Sequence, residues 1–327
     1  MRVLVTGGAG YVGSVTVERL IDTGHEVAIL DSMFRGHKGA IADGATLVTA
    51  DIGDATAVEA ALRDNGIEAV LHCAGLAQVA ESVVNPQIYF RDNVGGGLLL
   101  LDAMIAAGVQ RIVFSSSASV YGTPIHTPID EDHPNKPVNP YGETKRAFES
   151  TLQWYAGAYG LAAVSLRYFN ACGATVTRGE DHHPETHLIP NILRGALGGP
   201  QVKIFGTDYD TADGTCIRDY IHVLDLADAH IAALEMTATS SGKHEYCNLG
   251  SGSGFSVLDV LKAAESVVGG SIPHEFGPRR AGDPAVLVAS NSKAREMLGW
   301  EPRRGTLGEM IGSAWNWHQG NPHGYED

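Results

Sequence analysis

Through its first half the chain alternates short apolar runs with longer stretches of helical spacing. The runs at Arg2–Thr6, Glu26–Leu30, Thr46–Ala50, Ala69–His72, Arg111–Ser115 and Ala163–Arg167 are too short for helices and read as strands. Helical spacing covers Tyr11 to about Thr23, about Pro86 to Ala107, and a stretch that starts near Pro140. Short strands that are apolar on both sides, joined by helices, predict an α/β protein with a doubly wound parallel sheet. After Tyr168 the pattern changes. Polar, aperiodic stretches at Gly173–Glu185 and Thr207–Thr215 interrupt a helix from Leu188 to about Leu197 and a strand and helix within Ile217–Met236. A glycine-serine turn at Gly250–Gly254 precedes helical spacing over Phe255–Val268. This part predicts a second, smaller α/β domain that interleaves with the first.

Gly7, Gly10 and Gly13 stand between the first strand and the first helix, in the order G-x-x-G-x-x-G. Glycine there permits a tight turn and a close approach of the backbone to a pyrophosphate, and the helix N-terminus offers unpaired N–H groups to the phosphates. Asp31, at the end of the second strand, suits a ribose diol and repels a 2′-phosphate, so NAD is expected rather than NADP. Arg35, four residues on, weakens that preference. Asp51 and Ile52, just past the third strand, are placed to flank the adenine. The strand–turn–helix context makes the first region a Rossmann sheet. Its expected extent is residues 1–168 with about 216–240, leaving 169–215 with about 241–327 to the substrate domain.

Asn139 and Pro140 begin a helix that carries Tyr141 and Lys145 four residues apart, on one face. A tyrosine is a poor base at its ordinary pKa of about 10; lowering it by about 3 units takes roughly 4 kcal/mol. A neighbouring ammonium and an oxidised nicotinamide both favour the phenolate. The serine run Ser115-Ser116-Ser117 closes a strand at the carboxyl edge of the sheet, where ligands bind in this architecture. Ser117 is the serine placed to share a proton with Tyr141 and a substrate alcohol.

Composition narrows the field. With 44% hydrophobic residues in 327 the chain can build an ordinary core, and its formal charge of −15 argues against a nucleic-acid footprint. Cys73, Cys172, Cys216 and Cys247 are far apart with no CxxC pair, so neither a disulfide framework nor structural zinc is expected. The run Leu98–Leu101 stops at Asp102 and no segment reaches membrane-spanning length. Arg2–Thr6 reads as a strand and not a signal peptide, and a cytoplasmic location is expected.

Together these motifs resemble the extended short-chain dehydrogenase/reductase family, and the match continues along nearly the whole chain. It takes in Val5-Thr6-Gly7-Gly8-Ala9-Gly10-Tyr11, His72-Cys73-Ala74-Gly75-Leu76, Asn93-Val94 and Leu166-Arg167-Tyr168-Phe169-Asn170. Further on come Phe205-Gly206-Thr207-Asp208-Tyr209, the segment Asp213 to Val223 around Arg218, Pro278-Arg279-Arg280-Ala281-Gly282-Asp283, and the ending Trp317 to Tyr325. The resemblance implies a UDP-hexose enzyme that interconverts UDP-glucose and UDP-galactose through a transient 4-keto sugar. It implies Tyr141 as base with Ser117 and Lys145, and NAD held by Gly7, Gly10, Tyr11, Val12, Gly13, Asp31, Asp51, Ile52, Ala74, Gly75, Leu76, Asn93, Ser115, Tyr141, Lys145 and Tyr168. Arg218 and Arg280 would hold the diphosphate. Ser117, Tyr141, Phe169, Asn170, His187, Leu188, Asp283 and Leu287 would line the rest of the substrate site. A homodimer is implied, paired through helices near Pro86–Ala107 and Tyr141–Tyr159, where Leu98, Leu99, Met104, Phe148 and Leu152 supply apolar positions.

Four departures stand out. Ala77-Gln78 replaces a cofactor-side lysine, His187 stands where many relatives have Asn, Leu287 is intermediate in size where N-acetyl tolerance is decided, and Ser32 replaces an Asn. Three other readings remain. Dehydratases of this family carry Asp-Glu where this chain has Ala118-Ser119, which are poor proton exchangers. A UDP-N-acetylhexosamine or UDP-pentose 4-epimerase is closer, and a non-catalytic NAD-binding sensor is the alternative outside catalysis.

Overall fold

The computed structural model describes residues 1–280 and 283–326, so Ala281 and Gly282 of the expected motif lie outside the described residues. The alternation in the first half becomes β1 (Arg2–Thr6), α1 (Tyr11–Asp22), β2 (Glu26–Asp31), β3 (Thr46–Thr49), α2 (Ala55–Asp64), β4 (Ala69–His72), α3 (Val79–Val84) and α4 (Pro86–Tyr89). A π-helical stretch, Phe90–Gly96, leads into α5 (Gly97–Ala107), followed by β5 (Arg111–Ser117), α6 (Pro140–Tyr159) and β6 (Ala162–Tyr168). The single helix expected over Pro86–Ala107 therefore carries a wider turn. Within that turn Asn93 reaches inward, accepting from the Leu76 N–H at 2.8 Å and donating to the Leu76 carbonyl at 3.0 Å. Such insertions re-aim a side chain without ending the helix.

The remaining elements are β7 (Asn170–Cys172), α7 (Leu188–Ala196), β8 (Val202–Phe205), β9 (Ile217–His222), α8 (Val223–Met236), β10 (His244–Leu249), β11 (Gly254–Ser256), α9 (Val257–Val268), β12 (His274–Gly277), β13 (Val286–Leu287), α10 (Ser292–Leu298) and α11 (Leu307–Gly320). Seven parallel strands in the order β10-β6-β5-β4-β1-β2-β3 form the main sheet. Its faces follow the period of two along each strand. Val3, Val5 and Ile29 enter one core with Val17 of α1 and Leu226 of α8. Leu4, Ala28 and Leu30 enter the other with Val58, Met104 and Phe148. The fold is the expected doubly wound Rossmann sheet.

The pairing corrects the expected division between the two regions. His244–Leu249, expected with the second region, pairs with β6 as the seventh strand of the main sheet. As an edge strand it carries His244 and Glu245, so its sequence lacks a continuous apolar run. Ile217–His222, expected with the first region, instead pairs with β7, β11 and β13 in a small four-stranded sheet. The smaller core gathers Ile192, Leu193, Ile204, Tyr220, Leu261 and Met310. Of the apolar positions expected at a subunit interface, Met104, Phe148 and Leu152 are buried within the chain, whereas Leu98 and Leu99 are exposed.

Candidate active site

The carboxyl ends of β1 and β4 meet where the strand order reverses, the point at which this architecture binds its ligands. Gly7 adopts φ 71°, and a Cβ there would lie 2.6 Å from the Ala74 nitrogen. A Cβ on Gly13 would lie 2.1 Å from the Gly7 carbonyl oxygen. Any side chain at either position would therefore destroy the turn. Gly10 is the N-cap of α1, and Tyr11 and Val12 open the helix. The Tyr11 side chain turns away, its hydroxyl donating to the Gly173 carbonyl at 2.6 Å.

Asp31 accepts one backbone N–H on each oxygen, from Ala9 at 3.0 Å and from Met33 at 2.9 Å. Both oxygens keep lone pairs for a diol, so the carboxylate is oriented by the turn and not consumed by it. Arg35 pairs with Glu81 at 2.8 Å, which occupies the guanidinium that had weakened the case for NAD. Asp51 accepts from the Gly53 N–H at 2.7 Å, fixing the loop in which Ile52 lies. Ala74, Gly75 and Leu76 follow β4, and Asn93 clamps Leu76 and accepts nothing further from Thr144, to whose hydroxyl its amide donates at 3.1 Å. Gln78, at the departure from the family pattern, donates to the Pro184 carbonyl at 2.8 Å and ties this loop to the 173–187 segment. The glycine cradle and the Asp31 carboxylate fit an NAD pyrophosphate and ribose.

Ser117 ends β5 and is 8% exposed, while Tyr141 and Lys145 on α6 are 7% and 5% exposed. Asn139 caps that helix through the Gly142 N–H at 2.8 Å, which sets the rotation that aims both side chains at β5. Lys145 Nζ donates to the Ser115 carbonyl at 2.8 Å and lies 4.7 Å above the Phe114 ring and 5.8 Å from the Tyr141 ring. Burial brings its ammonium down to about 8. The expected lowering of the Tyr141 phenol rests on Lys145 together with an oxidised nicotinamide. Burial pushes Tyr141 up from its ordinary value, and the Ser117 hydrogen bond only partly pulls it back. Lys145 keeps its charge while donating to the neutral Ser115 carbonyl, so the ammonium and an oxidised nicotinamide would together favour the phenolate.

Ser115 acts through its carbonyl, because its hydroxyl faces inward to His230 Nε2 at 2.8 Å and Cys73 at 3.1 Å. His230 Nδ1 lies 2.8 Å from the Leu226 carbonyl, so Nδ1 carries the hydrogen and Nε2 accepts from Ser115. His72 is likewise buried, against Thr6 at 2.8 Å. Burial holds His72 down to about 3 and His230 to about 4. An unfolded chain protonates both near 6.5, so between about 6.5 and about 4 the unfolded state binds protons that the folded state does not. Stability therefore falls as pH falls through that window. Urea midpoints should drop from about pH 7 to about pH 5, and a smaller drop is expected for His230→Gln; equal drops would contradict the assignment.

Tyr168 closes β6 and Asn170 opens β7, so only Phe169 separates the main sheet from the small one. Phe169 packs with Val120, Tyr121 and Ala289, with Leu287 against the same cluster. The Asn170 amide donates to the Asp219 carbonyl at 2.8 Å and thereby holds β7 to β9. Arg218 and Asp283 form an ion pair, and Leu287 stands beside Arg218 in register. Arg280 lies 4.2 Å above the Phe205 ring. The structure thus brings Arg218, Asp283 and Leu287 together. His187, expected on the substrate side, has its Nδ1 2.8 Å from Glu180 and 3.2 Å from Glu185, with its side chain half-exposed. Burial alone would lower that imidazole, and the two carboxylates outweigh it, raising it to about 10. Leu188 is the first residue of α7, directly after it.

Comparison with known proteins agrees with this geometry. Residues 3–250 match the model of the NAD dependent epimerase/dehydratase family. The chain belongs to that family. It is 49% identical to a UDP-glucose 4-epimerase of Halalkalibacterium halodurans, across 99% of this chain and 98% of that one. It is also similar to the crystal structure of UDP-glucose 4-epimerase from Brucella ovis in complex with NAD (42% identity, TM-score 0.93, 96% and 97% of the two chains). A third relative is the structure from Bifidobacterium longum in complex with NAD+ and UDP (38% identity, TM-score 0.94, 99% and 100%). Within the epimerase/dehydratase family, this chain's glycine turn and Asp31 make it one of the NAD-dependent enzymes.

Proposed function

We propose that the chain is a 4-epimerase that interconverts UDP-glucose and UDP-galactose, and that Ser117, Tyr141 and Lys145 carry the proton chemistry. The observation that supports this reading is the placement of Ser117, Tyr141 and Lys145, each nearly buried, together at the carboxyl edge of the main sheet, with Lys145 Nζ 5.8 Å from the Tyr141 ring. Tyr141 Oη takes the proton of the sugar 4-hydroxyl and later returns it to the 4-keto oxygen. The Ser117 hydroxyl bridges that oxygen and the phenol. Bound NAD supplies the acceptor and donor of the hydride at C4. The three side chains are nearly excluded from water, which strengthens each charge interaction among them.

Inversion requires the nucleotide to stay fixed while the hexose turns over. Guanidinium groups suit the fixed end, since they are permanent, planar donors to a diphosphate. Arg218 and Arg280 are assigned that role, with Asp283 orienting Arg218. Ala118 and Ser119, in the turn after β5, provide no acid or base for elimination of water, so dehydration is not the reaction.

Purified protein should convert UDP-galactose to UDP-glucose in a coupled assay; bound NAD without turnover would instead support the sensor reading. Arg218→Ala should lower kcat/KM by roughly 10–100-fold, mostly through KM, as expected for losing charged hydrogen bonds worth about 1.5–3 kcal/mol. Exposure of Leu98, Leu99 and Trp154 on α5 and α6 supports the expected homodimer. Sedimentation should give two chains per particle, and one chain for Leu98→Glu with Leu99→Glu.

A further inference from the structure

Between β7 and α7 the segment from Gly173 to His187 carries Glu180, His182, Glu185 and His187, none of which the proton chemistry uses. Each offers one ligand atom, and the four lie within 4.8 Å of one another. We propose that they form a zinc site that fastens this segment in front of α7.

The geometry carries the argument. Four ligands about 2.0–2.2 Å from a tetrahedral zinc stand about 3.3–3.6 Å from each other. Glu180 Oε1 lies 3.4 Å from His182 Nδ1 and 2.8 Å from His187 Nδ1, and Glu185 Oε2 lies 3.7 Å from His182 Nδ1. These separations bracket the tetrahedral edge. The Glu185 side chain is 1% exposed. Its Oε1 accepts from the N–H groups of Thr186 at 2.7 Å and His187 at 2.8 Å, which fixes the carboxylate at the start of α7. Its Oε2 is buried and, like His182 Nδ1, makes no full hydrogen bond among the described residues; the two atoms face each other only as an ion pair at 3.7 Å. Buried polar atoms are rarely left unbonded, and an ion coordinated by both removes the deficit.

Charge and ligand type agree. Zinc binding would displace the protons that the carboxylates hold on the two imidazoles, after which two carboxylates and two neutral imidazoles balance a divalent cation; the mixed nitrogen and oxygen set favours zinc over magnesium or calcium. In extended chain, Glu180 and His182 share one side while Asp181 faces the other, where it accepts from Arg194 at 3.1 Å and from the Tyr325 N–H at 3.0 Å. The His182 ring meets the Tyr11 ring edge-on at 6.3 Å, and Tyr11 in turn donates to Gly173. An ion here therefore joins the segment to the first turn of α1.

The test uses the full chain with any affinity tag removed. Protein stripped with a chelator is titrated with zinc chloride by calorimetry, and its metal content as purified is measured by mass spectrometry. The wild type is expected to bind about one zinc per chain and to gain thermal stability on doing so. His182→Asn with Glu185→Gln should lose more than about 100-fold in zinc affinity, beyond the 10–100-fold typical of an outer-shell partner, with an unchanged circular dichroism spectrum. Glu185→Gln alone, which keeps the shape and an oxygen for the α7 N–H groups, gives the same reading if the pair fails to fold. Absence of stoichiometric binding, binding unaltered in the variants, or magnesium chloride binding as tightly as zinc would overturn the proposal and leave an ion-pair cluster.

Discussion

Tyr141→Phe is expected to reduce kcat for UDP-galactose by roughly 10²–10⁴-fold, the usual scale for a lost general base. KM should change little, because the UDP end is assigned to Arg218 and Arg280 and not to the phenol. The ring is 7% exposed and its hydroxyl has no backbone role, so the variant should fold and hold NAD as the wild type does. Burial raises this phenol, which makes the charge on the oxidised coenzyme part of the base's activation. NAD content and thermal midpoint, measured beside the rate, separate lost chemistry from lost cofactor. Near-wild-type turnover would move the base elsewhere.

Glu149→Ala should cost about 3–5 kcal/mol of stability, because it leaves a buried guanidinium without its counter-charge. Arg167 on β6 and Glu149 on α6 are paired at 2.5 Å, with side chains 2% and 5% exposed. Around them Ser116 donates to Glu149 at 2.5 Å, and Arg167 donates to Tyr121 at 3.0 Å and Asn135 at 3.3 Å. Glu149 stands one turn beyond Lys145, which stands one turn beyond Tyr141, so the pair holds α6 in register on β5 and β6. Urea unfolding of the variant checks the size of the loss, and Glu149→Gln, which keeps the shape, isolates the charge. A loss below about 1 kcal/mol in both would mean that water replaces the pair.

Much of the candidate site's framework was legible because its signals are local. The period of two in Val3, Leu4 and Val5 reports two buried faces whatever the rest of the chain does. Gly7 and Gly13 report a close backbone approach, and the spacing of Tyr141 and Lys145 reports one helix face. The resemblance extended this to Arg218, Asp283 and Leu287, which the small sheet does assemble.

What stayed illegible depends on contacts between distant segments. The seventh strand, His244–Leu249, is polar because it lies at an edge, and only its pairing with β6 reveals it. Ser115 could not be read as facing His230, 115 residues away, nor His187 as turned toward Glu180. Glu180, His182, Glu185 and His187 lie within eight residues, but cysteine spacing gives no sign of them. Sequence determined the sheet, the cofactor turn and the shared helix face of Tyr141 and Lys145, since backbone periodicity and turn sterics act over a few residues. Tertiary structure decided strand partners and the partners of each buried charge, because burial and long-range pairing exist only once the chain has closed on itself.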